Sequence, residues 1–285
     1  MEESIRKADV LIEALPYIKA FHKKITVIKY GGSILGEDTI RKGVLEDIVF
    51  LSFMGLRPIL IHGGGPNISE RMKRQGKKTD FVDGMRVTDS ETLKIVEEEL
   101  EELNQKIVEE IKAIGGKAKG LSGKDEGIVW VRKKKGKQDL GFVGEVIKID
   151  TKSIIKEVNH NVIPVVCPMG KGTEDKRTYN VNADEVAAHI SIAVLAEKLV
   201  ILTNVKGIIR DQDNPHSFLS TLTINEAKDL IKDNVIQEGM VPKVEACIRA
   251  IEKGVKKSHI IDARISHSLL LEIFTDKGIG TGIIH

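Results

Sequence analysis

Residues Ile25 to Ser33 read ITVIKYGGS, an apolar run closed by a lysine and two glycines. Thr26, Val27, Ile28 and Tyr30 are β-branched or aromatic, the composition of a buried strand, and Lys29 stands at its exit. A lysine there is costly unless an anion meets it. Gly31 and Gly32 have no Cβ, so their N–H groups can approach a ligand closely and form an anion-binding concavity. A Gly-Gly turn with a snorkelling lysine is the plainer reading. A second apolar strand, Pro58 to Ile61, nevertheless ends in the same manner, at His62-Gly63-Gly64-Gly65-Pro66. Neither exit fits GxxxxGK[ST] or GxGxxG, so the pair points to phosphate chemistry outside the P-loop and dinucleotide types.

The chain of 285 residues is long enough for one large or two modest domains. With 41% hydrophobic and 30% charged residues it reads as soluble and globular. A balance of 44 basic against 42 acidic residues argues against a general nucleic-acid binder. Cys167 and Cys247 lie far apart without a C-x-x-C spacing, so neither a zinc site nor a disulfide framework is implied, and a reducing cytoplasm is the default. The charged start MEESIRKADV, with no long apolar segment after it, predicts neither signal peptide nor transmembrane helix, hence no membrane partner.

Before the first strand, Ile5, Ala8, Leu11, Ile12, Leu15, Ile18 and Phe21 recur at threes and fours, an apolar helical stripe that Pro16 should kink. It packs on the core or pairs with the same helix of another subunit. Asp38 to Met54 carries Ile40, Val44, Ile48, Val49 and Leu51 on a helical face between the two glycine exits. The unit is βαβ, and phosphates gather at the carboxyl ends of such strands. Asn67 to Gly76 reads as a short helix. Phe81 to Thr88, FVDGMRVT, reads as a loop or hairpin whose single cation, Arg86, can hold a carboxylate bidentately. Ser90 to Ile114 is a long amphipathic helix, with Asn104 beside its apolar face facing a partner helix or water. Lys133 to Lys137 is a solvated hairpin tip.

Strand Val162 to Cys167 precedes a glycine-bearing loop, Pro168 to Gly172, and then YNVNADEVA from Tyr179 to Ala187. Position alone makes Asn182 or Asp184 the N-cap of the following helix, although Asn180 and Asp184 can instead point at the glycine exits. Lys198 to Leu202 is a third strand of the same kind, leaving through Thr203-Asn204-Val205-Lys206-Gly207, and this fits a nucleotide. Lys243 falls near the start of a helix running to Lys253, where a cation opposes the macrodipole and hints at a bound anion. The domain boundary is placed in the loop Gly170 to Thr178.

Together, KYGGS at Lys29, HGGGP at His62, DGMRVT at Asp83, NVNAD at Asn180, LTNVKGI at Leu202 and GMVPK at Gly239 resemble the amino acid kinase family along nearly the whole chain. The resemblance implies an α/β fold, an open three-layer αβα sandwich with a mainly parallel central sheet. A kinked N-terminal helix (1–24) would precede an acetylglutamate-binding lobe (25–175) and an ATP-binding lobe (176–285). It implies transfer of the γ-phosphoryl group of ATP to the side-chain carboxylate of N-acetyl-L-glutamate, with Mg²⁺ held mainly by the phosphates and no protein metal ligand. Lys29 and Lys243 match the catalytic lysines, and Asp184 matches the aspartate that orients them, which reverses its reading as a cap. Gly31, Gly32 and Gly65 then serve the phosphates, Gly64, Arg86 and Asn180 the acetylglutamate, and Thr203, Asn204 and Lys206 the nucleotide. Asn204 stands where many members have aspartate, which implies altered nucleotide contacts rather than lost binding.

The N-terminal helix and the tail HSLLLEIFTDKGIGTGI resemble the arginine-inhibited hexameric branch, a trimer of dimers. On that likeness Glu272 and Gly280 would take L-arginine. The rivals are a related kinase acting on carrier-bound aminoadipate and a non-catalytic arginine sensor on the same fold.

Overall fold

The computed structural model describes residues 1–285 apart from 32–36, 83, 137, 212, 215–216 and 276–277, and for residues 7, 126 and 238 only the backbone. The stretch Ile25–Tyr30 forms strand β1, every residue from Thr26 onward buried. Seven more strands join it: β2 (Arg57–His62), β3 (Ala118–Ser122), β4 (Ile163–Cys167), β5 (Lys198–Thr203), β6 (Thr221–Thr223), β7 (Lys257–Asp262) and β8 (Thr281–Ile284). Their order is β6-β8-β7-β5-β1-β2-β4-β3. All neighbours run parallel except β7 and β8. The connecting helices are α1 (Glu2–Glu13), α2 (Leu15–Phe21), α3 (Asp38–Phe53), α4 (Gly65–Arg74), α5 (Ser90–Ala113), α6 (Lys152–Asn159), α7 (Ala183–Ala193), α8 (Ile224–Lys232), α9 (Val241–Glu252) and α10 (Ser268–Ile273).

Period-two alternation along the strands splits the core into two. Val27, Ile59, Ile61, Leu199 and Ile201 pack with Val186 of α7 and Val244 of α9 on one face. Ile28, Tyr30, Leu60, Val200 and Leu202 pack with α3, α5 and α10 on the other. Helices therefore cover both faces, the three-layer sandwich expected of parallel strands with apolar runs. Lys29 alternates onto the Val27 face, beneath α7 and α9.

Register completes the placement. Tyr30 lies beside His62 on one side and Leu202 on the other, so the exits of β1, β2 and β5 open at one edge of the sheet. Four shorter strands, 129–133, 143–149, 169–172 and 178–181, close into a small barrel. Met169–Gly172 and Thr178–Val181 pair antiparallel there. The stretch read from sequence as a glycine loop followed by a domain boundary is thus a hairpin of that barrel. β1 is bonded to strands on either side of the notional boundary, so one sheet runs through both halves.

Pro16 falls in the first turn of α2, and the N-terminal stripe breaks into two helices at Ala14. Tyr17 meets Phe274 edge to face, while Ile5, Leu11 and Ile12 are each more than half exposed. Among the described residues no helix is long and apolar enough to cross a membrane.

One local strain is unrelieved. α7 ends in a Schellman arrangement, with Ala196 N–H donating to Ser191 O and Leu195 N–H to Ile192 O. Leu195 consequently adopts φ 51°, and its side chain is 80% exposed with no packing to compensate. Leu195→Gly should therefore stabilise the protein by about 0.5–1 kcal/mol, seen as a higher urea midpoint at unchanged m-value. A lower midpoint would show that the left-handed residue is not strained.

Candidate active site

Thr178–Val181 delivers the chain directly into α7. Asn182 caps that helix, its Oδ1 accepting from the N–H groups of Asp184 at 2.8 Å and Glu185 at 3.2 Å. With the cap supplied by Asn182, the Asp184 carboxylate is released to point elsewhere. It lies 4% exposed, its Oδ1 2.8 Å from Lys29 Nζ and its Oδ2 3.0 Å from Lys243 Nζ. One carboxylate thus bridges a lysine from the end of β1 and a lysine from the first turn of α9.

Burial opposes the charge of Asp184, but the two ammonium groups outweigh it and hold the carboxyl below its usual range. Burial likewise pulls the Lys29 ammonium below the ordinary lysine value, with Asp184 offsetting part of the penalty.

These groups line a cleft of about 280 Å³ that also contains Gly31, Gly63, Gly64, Gly65, Arg86, Asn180 and Thr203. Gly64 precedes α4, whose N-terminus has no side-chain cap, so its first N–H groups, including that of Gly65, face the cleft unspent. A Cβ on Gly64 would sit 2.5 Å from Leu100 Cδ2, while one on Gly65 would meet nothing. Gly31 differs from expectation. Its N–H donates to Leu202 O at 3.2 Å, and a Cβ there would lie 2.8 Å from the same carbonyl. What Gly31 contributes is space beside Lys29 rather than a donor. Gly32 lies outside the described residues.

Arg86, in the hairpin Phe81–Arg86, is buried. Its Nη2 donates to Gly65 O at 2.9 Å and Ser69 Oγ at 2.7 Å, its Nη1 reaches Met72 Sδ at 3.1 Å, and Phe81 stacks over it with the centroid 4.8 Å away. No carboxylate among the described residues pairs with it, and burial pushes it down to about 10. A guanidinium so placed keeps the planar fork that can hold a carboxylate bidentately. Asn180 joins the cleft wall, its Nδ2 donating to Thr88 Oγ1 at 3.3 Å.

A family model described as the amino acid kinase family matches residues 24–262. The chain belongs to that family. It is 47% identical to an acetylglutamate kinase of Moorella thermoacetica, over 98% of each chain. Against an acetylglutamate kinase of Desulforamulus reducens it is 46% identical, over 100% of this chain and 99% of the relative. Among solved structures it is similar to N-acetylglutamate synthase of Neisseria gonorrhoeae complexed with coenzyme A and N-acetyl-glutamate, at TM-score 0.86 and 26% identity, covering 98% of this chain and 63% of that one. Carbamate kinase of Giardia lamblia bound to AMP-PNP shares the fold at TM-score 0.67 and 18% identity, over 92% of this chain and 98% of that one.

Of the residues picked from sequence, Lys29, Lys243, Asp184, Gly31, Gly64, Gly65, Arg86, Asn180 and Thr203 share the one cleft. Asn204 and Lys206 are exposed beyond the end of β5 and do not line it. Glu272 belongs to a separate pocket of about 180 Å³ lined also by Tyr17, Phe21, Lys198, Lys257, His259 and Gly278. There its Oε1 accepts from Lys198 Nζ at 2.7 Å and lies 3.2 Å from His259 Nε2. Burial opposes the Glu272 charge, yet Lys198 and His259 hold its carboxyl below the usual range.

Gly280 is not in this pocket. It precedes β8, where a Cβ would run into the Ile260 carbonyl, and Gly278, at φ +60°, takes the position against Glu272. Sequence reading also passed over Ser69, Met72 and Phe81 around Arg86, and Lys198, His259 and Tyr17 around Glu272. No local signal marks them: apart from Phe81, which shares the hairpin of Arg86, each meets its partner only across the fold.

Asp184→Asn should leave the buried Lys29 charge uncompensated and cost roughly 3 kcal/mol at neutral pH. A lysine whose folded pKa is depressed binds fewer protons than in the unfolded chain, so stability rises with pH toward the unfolded value of about 10.4. The deficit should therefore shrink as pH is raised above neutral toward that value in urea titrations; a constant deficit would mean that Lys29 is not the group stranded.

Proposed function

We propose that this enzyme transfers the γ-phosphoryl group of MgATP to the side-chain carboxylate of N-acetyl-L-glutamate, giving N-acetyl-L-glutamyl 5-phosphate and ADP, a step of arginine biosynthesis. The observation that carries the reading is the Lys29–Asp184–Lys243 array facing an uncapped glycine turn, with Arg86, which pairs with no carboxylate among the described residues, in the same cleft. The full-length likeness to acetylglutamate kinases supports the choice of acceptor.

A carboxylate is already a nucleophile, so the reaction needs no general base. Its oxygen attacks the γ-phosphorus as the bond to the β-phosphate oxygen breaks, and ADP leaves with the electron pair. The obstacle is anion meeting anion, and positioning with electrostatic stabilisation carries the catalysis. Arg86 takes the α-carboxylate of acetylglutamate and Asn180 and Gly64 flank it. Lys29 and the Gly65 N–H face the transferring phosphoryl, and Lys243 faces the leaving phosphates. Both oxygens of Asp184 are engaged by ammonium groups, so it serves as the lysines' anchor. When bound with the nucleotide, Mg²⁺ would be held mainly by phosphate oxygens and would supply further charge neutralisation there. Thr203, in the cleft wall, is the residue assigned to the nucleotide, and Asn204 and Lys206 follow it on the exposed stretch beyond β5.

Hydroxylamine trapping of acyl phosphate tests the reading directly. Product should form with acetylglutamate and not with aspartate or glutamate. Lys29→Ala and Lys243→Ala should each lower kcat by about 10²–10³-fold. Arg86→Ala should act mainly on KM for acetylglutamate. Product with another acceptor alone, or full activity in Lys29→Ala, would overturn it.

The pocket around Glu272 fits L-arginine as an inhibitor. Glu272, its one acidic lining residue, is the group for a guanidinium, Lys198 and Lys257 suit a carboxylate, and Tyr17 ties it to the N-terminal helices. The exposed apolar stripe of α1 is suited to the same helix of a second copy, in a hexamer built as a trimer of dimers. Two results are expected. Glu272→Gln should abolish the fall in rate caused by arginine, and removal of residues 1–14 should leave dimers in light scattering. Persistent arginine inhibition in the first, or an unchanged mass in the second, would refute the respective assignment.

A further inference from the structure

His62 is completely buried at the end of β2, one residue before the glycine turn. Its Nδ1 lies 3.0 Å from Gly63 O, and a carbonyl only accepts, so Nδ1 carries the proton. Its Nε2 lies 3.0 Å from Asn104 Nδ2. That amide is oriented by a second bond, Nδ2 to Val165 O at 2.9 Å, so it donates to Nε2 as well. The tautomer is thereby fixed from β4, through α5, to the turn. Gly63 is held at its other end too, its N–H donating to Tyr30 O at 2.9 Å. Gly120 leaves the room that Asn104 needs, since a Cβ there would collide with Asn104 Oδ1. No ion pair engages His62 among the described residues, and burial pushes it down to about 4, so the ring is neutral at physiological pH.

We propose that Asn104 and His62 are a positioning pair for phosphoryl transfer: Asn104 sets one tautomer of His62, and the Nδ1–H of that tautomer clamps the Gly63 carbonyl and aims the glycine turn. The proposal rests on reading the cleft as the phosphoryl-transfer site. Neither residue touches the reacting atoms. Their effect passes through the orientation of the Gly63–Gly65 backbone, whose N–H groups are useful only at the correct angle and distance. A misplacement on the order of 1 Å can cost 10²-fold in rate.

Two substitutions separate the roles of the two ring nitrogens. Nδ1 is two bonds from Cβ, as is the amide nitrogen of asparagine; Nε2 is three bonds away, as is that of glutamine. His62→Asn therefore keeps a donor for Gly63 O, and His62→Gln gives it up. In the trapping assay, His62→Gln should lower kcat by about 10- to 100-fold with KM values moving less than about threefold, and His62→Asn should recover most of the loss. Equal kcat losses in the two variants, or losses confined to KM, would overturn the proposal.

Imidazole ¹⁵N spectra of the intact protein supply a readout independent of catalysis. The wild type should show a protonated Nδ1 and a bare Nε2 at His62. Asn104→Asp, which turns an acceptor toward Nε2, should place a proton on that nitrogen. A wild-type ring protonated at Nε2 instead would overturn the pair, even if either histidine variant failed to fold. Should the wild type form no acyl phosphate with acetylglutamate, the substrate reading fails, and the spectra still decide whether the clamp exists.

Discussion

The carboxylate of Asp184, shared between Lys29 and Lys243, is the constraint on which the rest of the molecule depends. Two lysines held near one another repel, and burying them makes that repulsion worse. A buried carboxylate between them converts the repulsion into a bridge. To build that bridge the fold must bring a strand end, a helix start and another helix's first turn to one point. The three-layer sandwich does so through alternation, which turns Lys29 toward α7 and α9, and through parallel strands, which align their exits at one edge.

Asn182 shows how local structure serves that bridge. A carboxylate in the first turn of a helix is ordinarily consumed by capping. Because Asn182 accepts the hydrogen bonds from Asp184 and Glu185 N–H, Asp184 keeps both oxygens for the lysines. The misfit of Lys243 near a helix N-terminus has the same origin, since Asp184 reaches it there at 3.0 Å.

The apolar runs of β1, β2 and β5 and their polar or glycine exits were readable because each is a continuous local pattern, and so was the stripe of α5. Of the barrel, the strands flanking the Lys133–Lys137 tip were readable and the other two were not. Met169–Gly172 carries two glycines, Thr178–Val181 is equally short, and only pairing with strands tens of residues away makes them strands. The same limit applies within the site. Glycine composition at Gly31 suggested a donor, but β5 is the neighbour of β1, and the Leu202 carbonyl takes that N–H. A single residue separates Gly278 from Gly280, and nothing local shows that the first faces Glu272 while the second abuts the Ile260 carbonyl. The family resemblance supplied the lysine pair and the acceptor, which spacing alone had left open.

Charge in the cleft is distributed with the substrates in mind. Lys29, Lys243 and Arg86 bring three positive groups and Asp184 one negative group, a surplus suited to an anionic acceptor and a nucleotide triphosphate. Among the described residues, the further anchors around the cleft are neutral: Ser69, Met72 and the Gly65 carbonyl at Arg86, Thr88 at Asn180, Asn104 and the Gly63 carbonyl at His62. An additional carboxylate in any of these positions would fix its neighbour as firmly, but it would also cancel part of the positive surplus of the cleft. A charged histidine would add repulsion against the lysines and surrender its acceptor nitrogen. Neutral hydrogen bonds hold the geometry while leaving the field intact, and that requirement explains why a buried imidazole and a buried amide stand beside the glycine turn where apolar side chains would pack more cheaply.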